Sequence, residues 1–187
     1  SVSWFFVRDG IDLLHPQYHD IGSTATSYEN PKGWRFVEFP FFNAVHAWAY
    51  STFGHFSFEV WGRLVAIVGS LVSVVLVFLI GRRFISPLGG LLASFFFAFL
   101  PYNIYFSRVI LPEPLTVAGS LLALWLFSIW IEKEKFWILL LSALSFAFAL
   151  LMKPFAIFFA VPMIYLVFAK FGVFGAIRNR RLWMFFC

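Results

Sequence analysis

Residues 60–80 read Val60-Trp61-Gly62-Arg63-Leu64-Val65-Ala66-Ile67-Val68-Gly69-Ser70-Leu71-Val72-Ser73-Val74-Val75-Leu76-Val77-Phe78-Leu79-Ile80, and this stretch decides the fold class. Its only charge is Arg63, close to one end. At a rise of about 1.5 Å per residue, a helix of this length spans the ~30 Å hydrocarbon core of a bilayer. Four further apolar runs follow, at 88–106, 115–131, 136–152 and 155–171, each near the lower length limit for a span. Pro101 interrupts the first of these four and is expected to end or kink its helix. The expectation is an all-α integral membrane protein, a polytopic helical bundle of about five spans over residues 59–187.

Composition agrees. Of 187 residues, 61% are hydrophobic and 12% charged, with 28 Phe and 8 Trp. Soluble domains carry about twice that share of charge, which excludes a water-soluble globule, and disorder requires low hydrophobicity. The lone Cys187 excludes a disulfide framework and paired-Cys zinc sites. The chain opens on Ser1, and residues 183–187 begin another apolar segment, so it reads as an internal fragment truncated at both ends.

Residues 1–58 form a polar first loop, expected to be extracytoplasmic, holding His15, His19, His46 and His55 and the turn formers Asn30, Pro31 and Gly33. Its aromatic residues Trp4, Tyr18, Tyr28, Trp34, Trp48 and Tyr50 suit the headgroup level. The pattern Ala44, Val45, Ala47, Trp48 fits a short helix, either lying on the membrane surface or packed under the loop.

The net charge of +5 is a topology signal. With residues 1–58 outside, the inner turns hold Arg82, Arg83, Lys133, Lys135, Lys170, Arg178, Arg180 and Arg181 against the acids Glu132 and Glu134. The excess of Lys and Arg in short loops marks the cytoplasmic side. No nucleic-acid partner is therefore inferred from the basic balance.

Ionisable groups near membrane depth are functional candidates by default. Glu38 sits among apolar residues in Phe36-Val37-Glu38-Phe39-Pro40, Asp12 and Asp20 bracket His15-Pro16-Gln17-Tyr18-His19, Arg108 and Glu113 separate the second and third spans, and Lys153 fills the turn before Pro154. On the inferred topology these meet at one face. A carboxylate in apolar surroundings can act as a base or hold a metal, and cations beside it can bind a lipid phosphate. The structural alternatives are a Glu38–Arg35 pair, a helix-end anchor for Arg108, a snorkelling Lys153 and a solvated Asp20. His15 and His19 are four apart, but Pro16 argues against the helix that would align them on a metal.

The order of motifs resembles the GT-C membrane glycosyltransferases, in particular the branch of protein O-mannosyltransferases and bacterial lipid A aminoarabinose transferases. The matching pieces are Gly10-Ile11-Asp12-Leu13-Leu14-His15-Pro16, Glu38-Phe39-Pro40 with Phe53-Gly54, Gly62-Arg63-Leu64, Gly81-Arg82-Arg83, Leu100-Pro101 to Ser107-Arg108, Pro112-Glu113 and Met152-Lys153-Pro154. The resemblance implies an inverting sugar transfer from a polyprenyl-phosphate-linked donor to an acceptor hydroxyl on a lipid, glycan or protein, at the extracytoplasmic face of a bacterial inner membrane. It implies a principal Asp base ahead of Ser1, a catalytic role for Glu38, and donor-phosphate binding by Arg108 and Lys153, while Asp20 is a further catalytic candidate from its place in the first loop. It leaves a divalent metal open at Glu38 and adds no other cofactor. The alternatives from other classes are a transporter subunit, which would place charges at mid-membrane, and a non-catalytic scaffold.

Overall fold

A computed structural model describes residues 1–18, 33–34 and 38–178, and these are all-α apart from an isolated bridge between Gln17 and Trp34. The described helices are α1 (Val2–Asp9), α2 (Phe41–Phe53), α3 (Phe58–Phe84), α4 (Pro87–Phe99), α5 (Pro101–Arg108), α6 (Glu113–Lys133), α7 (Phe136–Met152), a 3₁₀ turn (Pro154–Phe159) and α8 (Ala160–Arg178).

Local chemistry sets these boundaries. Ser57 caps α3 by accepting from Val60 N–H, and Arg82 and Arg83 fall in its last turn, where cations favour the helix dipole. Ser86 accepts from Gly89 N–H at 3.0 Å and Pro87 takes the first helical position of α4, where its missing N–H has no bond to lose. Pro101 breaks the second apolar run as expected, and α4 and α5 meet at a bend of 59°. Phe58–Phe84, Glu113–Lys133 and Pro154–Gly172 are each long and apolar enough to cross a bilayer. The bent pair α4–α5 makes a fourth if taken as one span, while Phe136–Met152 is apolar but shorter. Each apolar run among the described residues is thus helical, and the protein is an integral membrane protein.

Two packing centres hold the bundle. Phe127, Trp130 and Ile131 of α6 interlock with Leu139 and Phe146 of α7 and with Ala160, Met163 and Val167. Ser142 Oγ donates to the carbonyl of Ala123 at 2.8 Å, a hydrogen bond between helices of the kind that works where water does not compete. The second centre joins Phe42 of α2, Ala66 of α3 and Met152 of α7. Small residues permit the closest contacts, although not always those that a four-residue spacing suggests. A Cβ on Gly69 would lie 3.0 Å from the backbone of Pro114, so this glycine lets α3 meet α6. On α7 the buried positions are Leu139, Ser142, Phe146, Ala149 and Met152, while Ala147 is exposed. Outward faces carry Leu71, Val75, Leu91, Phe95, Phe96, Phe158, Val161 and Tyr165, the exposed apolar surface of a protein solvated by lipid.

The first loop is folded onto this bundle. α2 packs one face inward, burying Phe42, Ala44, His46, Ala47 and Ala49, and leaves Trp48 and Phe53 exposed on the other. α1 lies on it through Phe6, and Ser3 Oγ donates to Asn43 Oδ1 at 2.7 Å. Gly33 (φ +63°) pairs its carbonyl with Tyr18 N–H at 2.7 Å, and a Cβ there would run into the Tyr18 carbonyl oxygen, so only glycine fits.

Candidate functional site

The residue before a proline is pushed out of the helical region, so Pro154 obliges α7 to stop at Met152 and leaves Lys153 extended (φ −148°, ψ 116°). Glu113 opens α6 between Pro112 and Pro114, where proline is tolerated and a negative charge faces the helix's positive end. Glu38 is drawn to the same point by a backbone bond from Phe39 N–H to the Leu151 carbonyl at 3.3 Å. Three separated segments therefore deliver two carboxylates and one ammonium. Lys153 Nζ donates to Glu38 Oε1 and lies 3.1 Å from Glu113 Oε1.

These side chains are partly shielded: 15% of Lys153, 21% of Glu113 and 32% of Glu38 remain exposed. Burial lowers the Lys153 pKa, but the hydrogen bonds and charges of Glu38 and Glu113 outweigh it, and the net shift is upward. Lys153 is consequently a fixed cation. Beside it opens a cleft of about 260 Å³ whose walls are Val2, Pro16, Pro40, Asn43, Leu111 and Pro112, with Glu38 and Lys153 on its surface.

Of the residues expected at the site, Glu38 and Lys153 are brought together. Arg108 is exposed at the end of α5 and makes no ion pair with a described residue. Asp20, His19 and Arg35 lie outside the described residues. Asp12 accepts from the backbone N–H groups of Leu14 and His15 and pairs with His15 Nδ1 at 3.0 Å, so it organises its own exposed turn. Its carboxyl is held below the usual range, chiefly by the Leu14 N–H. Glu113 joins Glu38 and Lys153, a residue that the sequence marks only as a charge on this face. Its signal was the motif Pro112-Glu113-Pro114 itself, a carboxylate fixed at a helix start.

His46 has a different task. Its Nε2 donates to the Phe58 carbonyl at 2.6 Å, its ring lies 4.1 Å from that of Phe58, and Gly62 leaves room for it, since a Cβ there would sit 2.8 Å from Cε1. Burial lowers its pKa, leaving a neutral ring that pins α2 to α3. At the opposite end of the bundle, Arg83 ties α3 to α6 through Glu132 (2.7 Å) and the Ser128 carbonyl (3.1 Å).

A metal at Glu38 does not fit the residues described. No group of three or more His, Cys, Asp or Glu among them is placed to hold one, and the ammonium of Lys153 already bridges the two carboxylates.

Apolar helices of membrane-crossing length, with a carboxylate–ammonium–carboxylate cluster and a cleft at one end, define a polytopic membrane protein. A family model described as dolichyl-phosphate-mannose-protein mannosyltransferase matches residues 39–185. The chain belongs to this family of membrane glycosyltransferases. The match takes in Arg108, Glu113 and Lys153 and begins at the residue after Glu38. No curated protein and no solved structure matches the chain.

Proposed function

We propose that the protein transfers a sugar from a polyprenyl-phosphate-linked donor to an acceptor hydroxyl, with inversion, at the extracytoplasmic face of a bacterial inner membrane. The supporting observation is Lys153, a cation anchored by Glu38 and Glu113 at the mouth of a cleft beside apolar helices. The acceptor oxygen bonds to the anomeric carbon while the bond from that carbon to the phosphate oxygen breaks, its electron pair leaving with the lipid phosphate. The hydroxyl proton passes to a carboxylate of the rim. Fixed cations aimed at the departing phosphate stabilise the charge that develops on it. An ammonium has three N–H donors, so Lys153 keeps one for the phosphate after meeting both carboxylates. Two carboxylates against one ammonium leave the cluster at −1, so an incoming phosphate needs a second cation. We assign that part to Arg108, next to the Leu111–Pro112 wall of the cleft in sequence.

Glu38→Gln in the full-length protein tests the reading. It keeps the shape of the side chain but loosens one anchor of Lys153, so transfer should fall by about tenfold to a hundredfold, the scale of lost positioning, at unchanged membrane abundance. Unchanged turnover would remove Glu38 from the site.

A further inference from the structure

The cleft beside Lys153 carries one more polar side chain, Asn43 in the first turn of α2. Glu38 and Lys153 are engaged with each other, and the remaining wall, Val2, Pro16, Pro40, Leu111 and Pro112, offers no side-chain donor. Asn43 is held in place from α1. Ser3, 1% exposed, donates its hydroxyl hydrogen to Asn43 Oδ1 at 2.7 Å. A buried hydroxyl has one hydrogen to place, so this bond fixes which way the amide is turned. With its oxygen against α1, the amide has both hydrogens of Nδ2 left over. Nδ2 makes no hydrogen bond with a described residue, and it is not sealed in. The buried side-chain atoms that lack a partner are His46 Nδ1, Trp61 Nε1, Glu113 Oε2 and Trp130 Nε1, whereas Asn43 is half-buried on the cleft wall.

The cleft, about 260 Å³, lies just under the roughly 300 Å³ at which pockets for drug-sized ligands begin, a scale that suits a single sugar ring. A sugar hydroxyl that enters it leaves water and needs new partners. Lys153 answers the charge of the phosphate, and a neutral amide on the same wall answers an uncharged oxygen. We propose that Asn43 is a specificity residue for the donor sugar, its Nδ2 donating to one hydroxyl oxygen of the ring whose phosphate lies on Lys153. Ser3 is then a positioning residue, which acts by turning the amide. The inference rests on the transferase reading and adds a determinant of which sugar is carried.

The test supplies full-length protein in proteoliposomes with polyprenyl-phosphate mannose and with its monodeoxy analogues, each lacking one ring hydroxyl, and reads kcat/KM for each donor. One analogue should be transferred about threefold to tenfold less efficiently than the parent, the scale of one neutral hydrogen bond. Asn43→Ala should lower transfer from the parent by that factor and leave that analogue where it was, so that their ratio falls to about one. Ser3→Ala frees the amide and should erase part of the ratio. Asn43→Ala leaves the Ser3 hydroxyl buried without a partner, so Ser3→Ala combined with Asn43→Ala, which leaves nothing unpaired, decides the matter should the single variant fail to fold. Equal use of the parent and every analogue by the native protein would overturn the proposal. A ratio preserved in Asn43→Ala would overturn it too, making the amide a clasp between α1 and α2 alone. Weaker binding of sugar-free polyprenyl phosphate by Asn43→Ala, with the ratio preserved, would overturn it by assigning the amide to the phosphate. Absence of transfer from every donor, with no binding of polyprenyl phosphate by the native protein, would instead bring down the transferase reading.

Discussion

Lys153→Met is expected to damage both folding and turnover, because it unpairs two carboxylates at once. Removing one partner of a fully buried ion pair costs about 3–5 kcal/mol; with side chains 15–32% exposed, roughly 1–3 kcal/mol is expected here. Transfer should fall about a hundredfold or more, as when a donor aimed at developing charge is lost. Lys153→Arg keeps the charge and should recover the thermal stability but only part of the rate, since a planar guanidinium cannot place its donors as an ammonium does. Thermal unfolding in detergent and a transfer assay on the same preparations separate the two effects. The sign of the pKa shift sets the pH window. A lysine raised above its ordinary 10.5 contributes its full stabilisation below that value and loses it only as pH rises through the folded value, so the cluster holds across the physiological range. Near-native turnover by Lys153→Met would show that the cation is an anchor.

Gly90→Leu is expected to be more disruptive still, and far from the cleft. A Cβ on Gly90 would lie 2.6 Å from both the Arg82 nitrogen and the Phe78 carbonyl oxygen, and one on Gly81 would lie 2.7 Å from the Gly90 Cα. The obstacles are backbone atoms, so no rotamer change relieves them. Overpacking usually costs about 1–3 kcal/mol, and a clash of main chain against main chain belongs at or beyond the top of that range. Membrane abundance and the detergent unfolding midpoint should both collapse. Gly89→Ala is the contrast: its Cβ meets chiefly the Ile85 side chain, the nearest atom being Cγ2 at 2.7 Å, and Ser86 Oγ, and it should be much milder. Equal behaviour of the two variants would refute the close α3–α4 packing.

These cases show where the sequence was legible. Hydrophobic run length is a local property, so the helical character of each apolar segment could be read directly, and Pro101 announced the bend in the second. Contacts between helices depend on rotation about each axis, which spacing alone leaves open. It is Gly90, not its neighbour Gly89, that meets the α3 backbone, and Ala147 lies off the buried face of α7. The site divides in the same way. Glu38 and Lys153 stood out as charges beside apolar residues and prolines, but their partnership needs the Phe39–Leu151 backbone bond, 112 positions apart, which no local pattern encodes. Glu113 is visible as a charge, while the placing of its two oxygens, one on Lys153 and one buried, is a property of packing.

The most direct test of the central claim is a transfer assay with the full-length protein in proteoliposomes, supplied with polyprenyl-phosphate mannose labelled in the sugar. The account predicts label moving from the polyprenyl phosphate into an acceptor hydroxyl, with free polyprenyl phosphate released in equal amount and the reaction slowed about a hundredfold or more by Lys153→Met. Label remaining on the polyprenyl phosphate under conditions where the protein is folded, or transfer indifferent to Lys153, would contradict it.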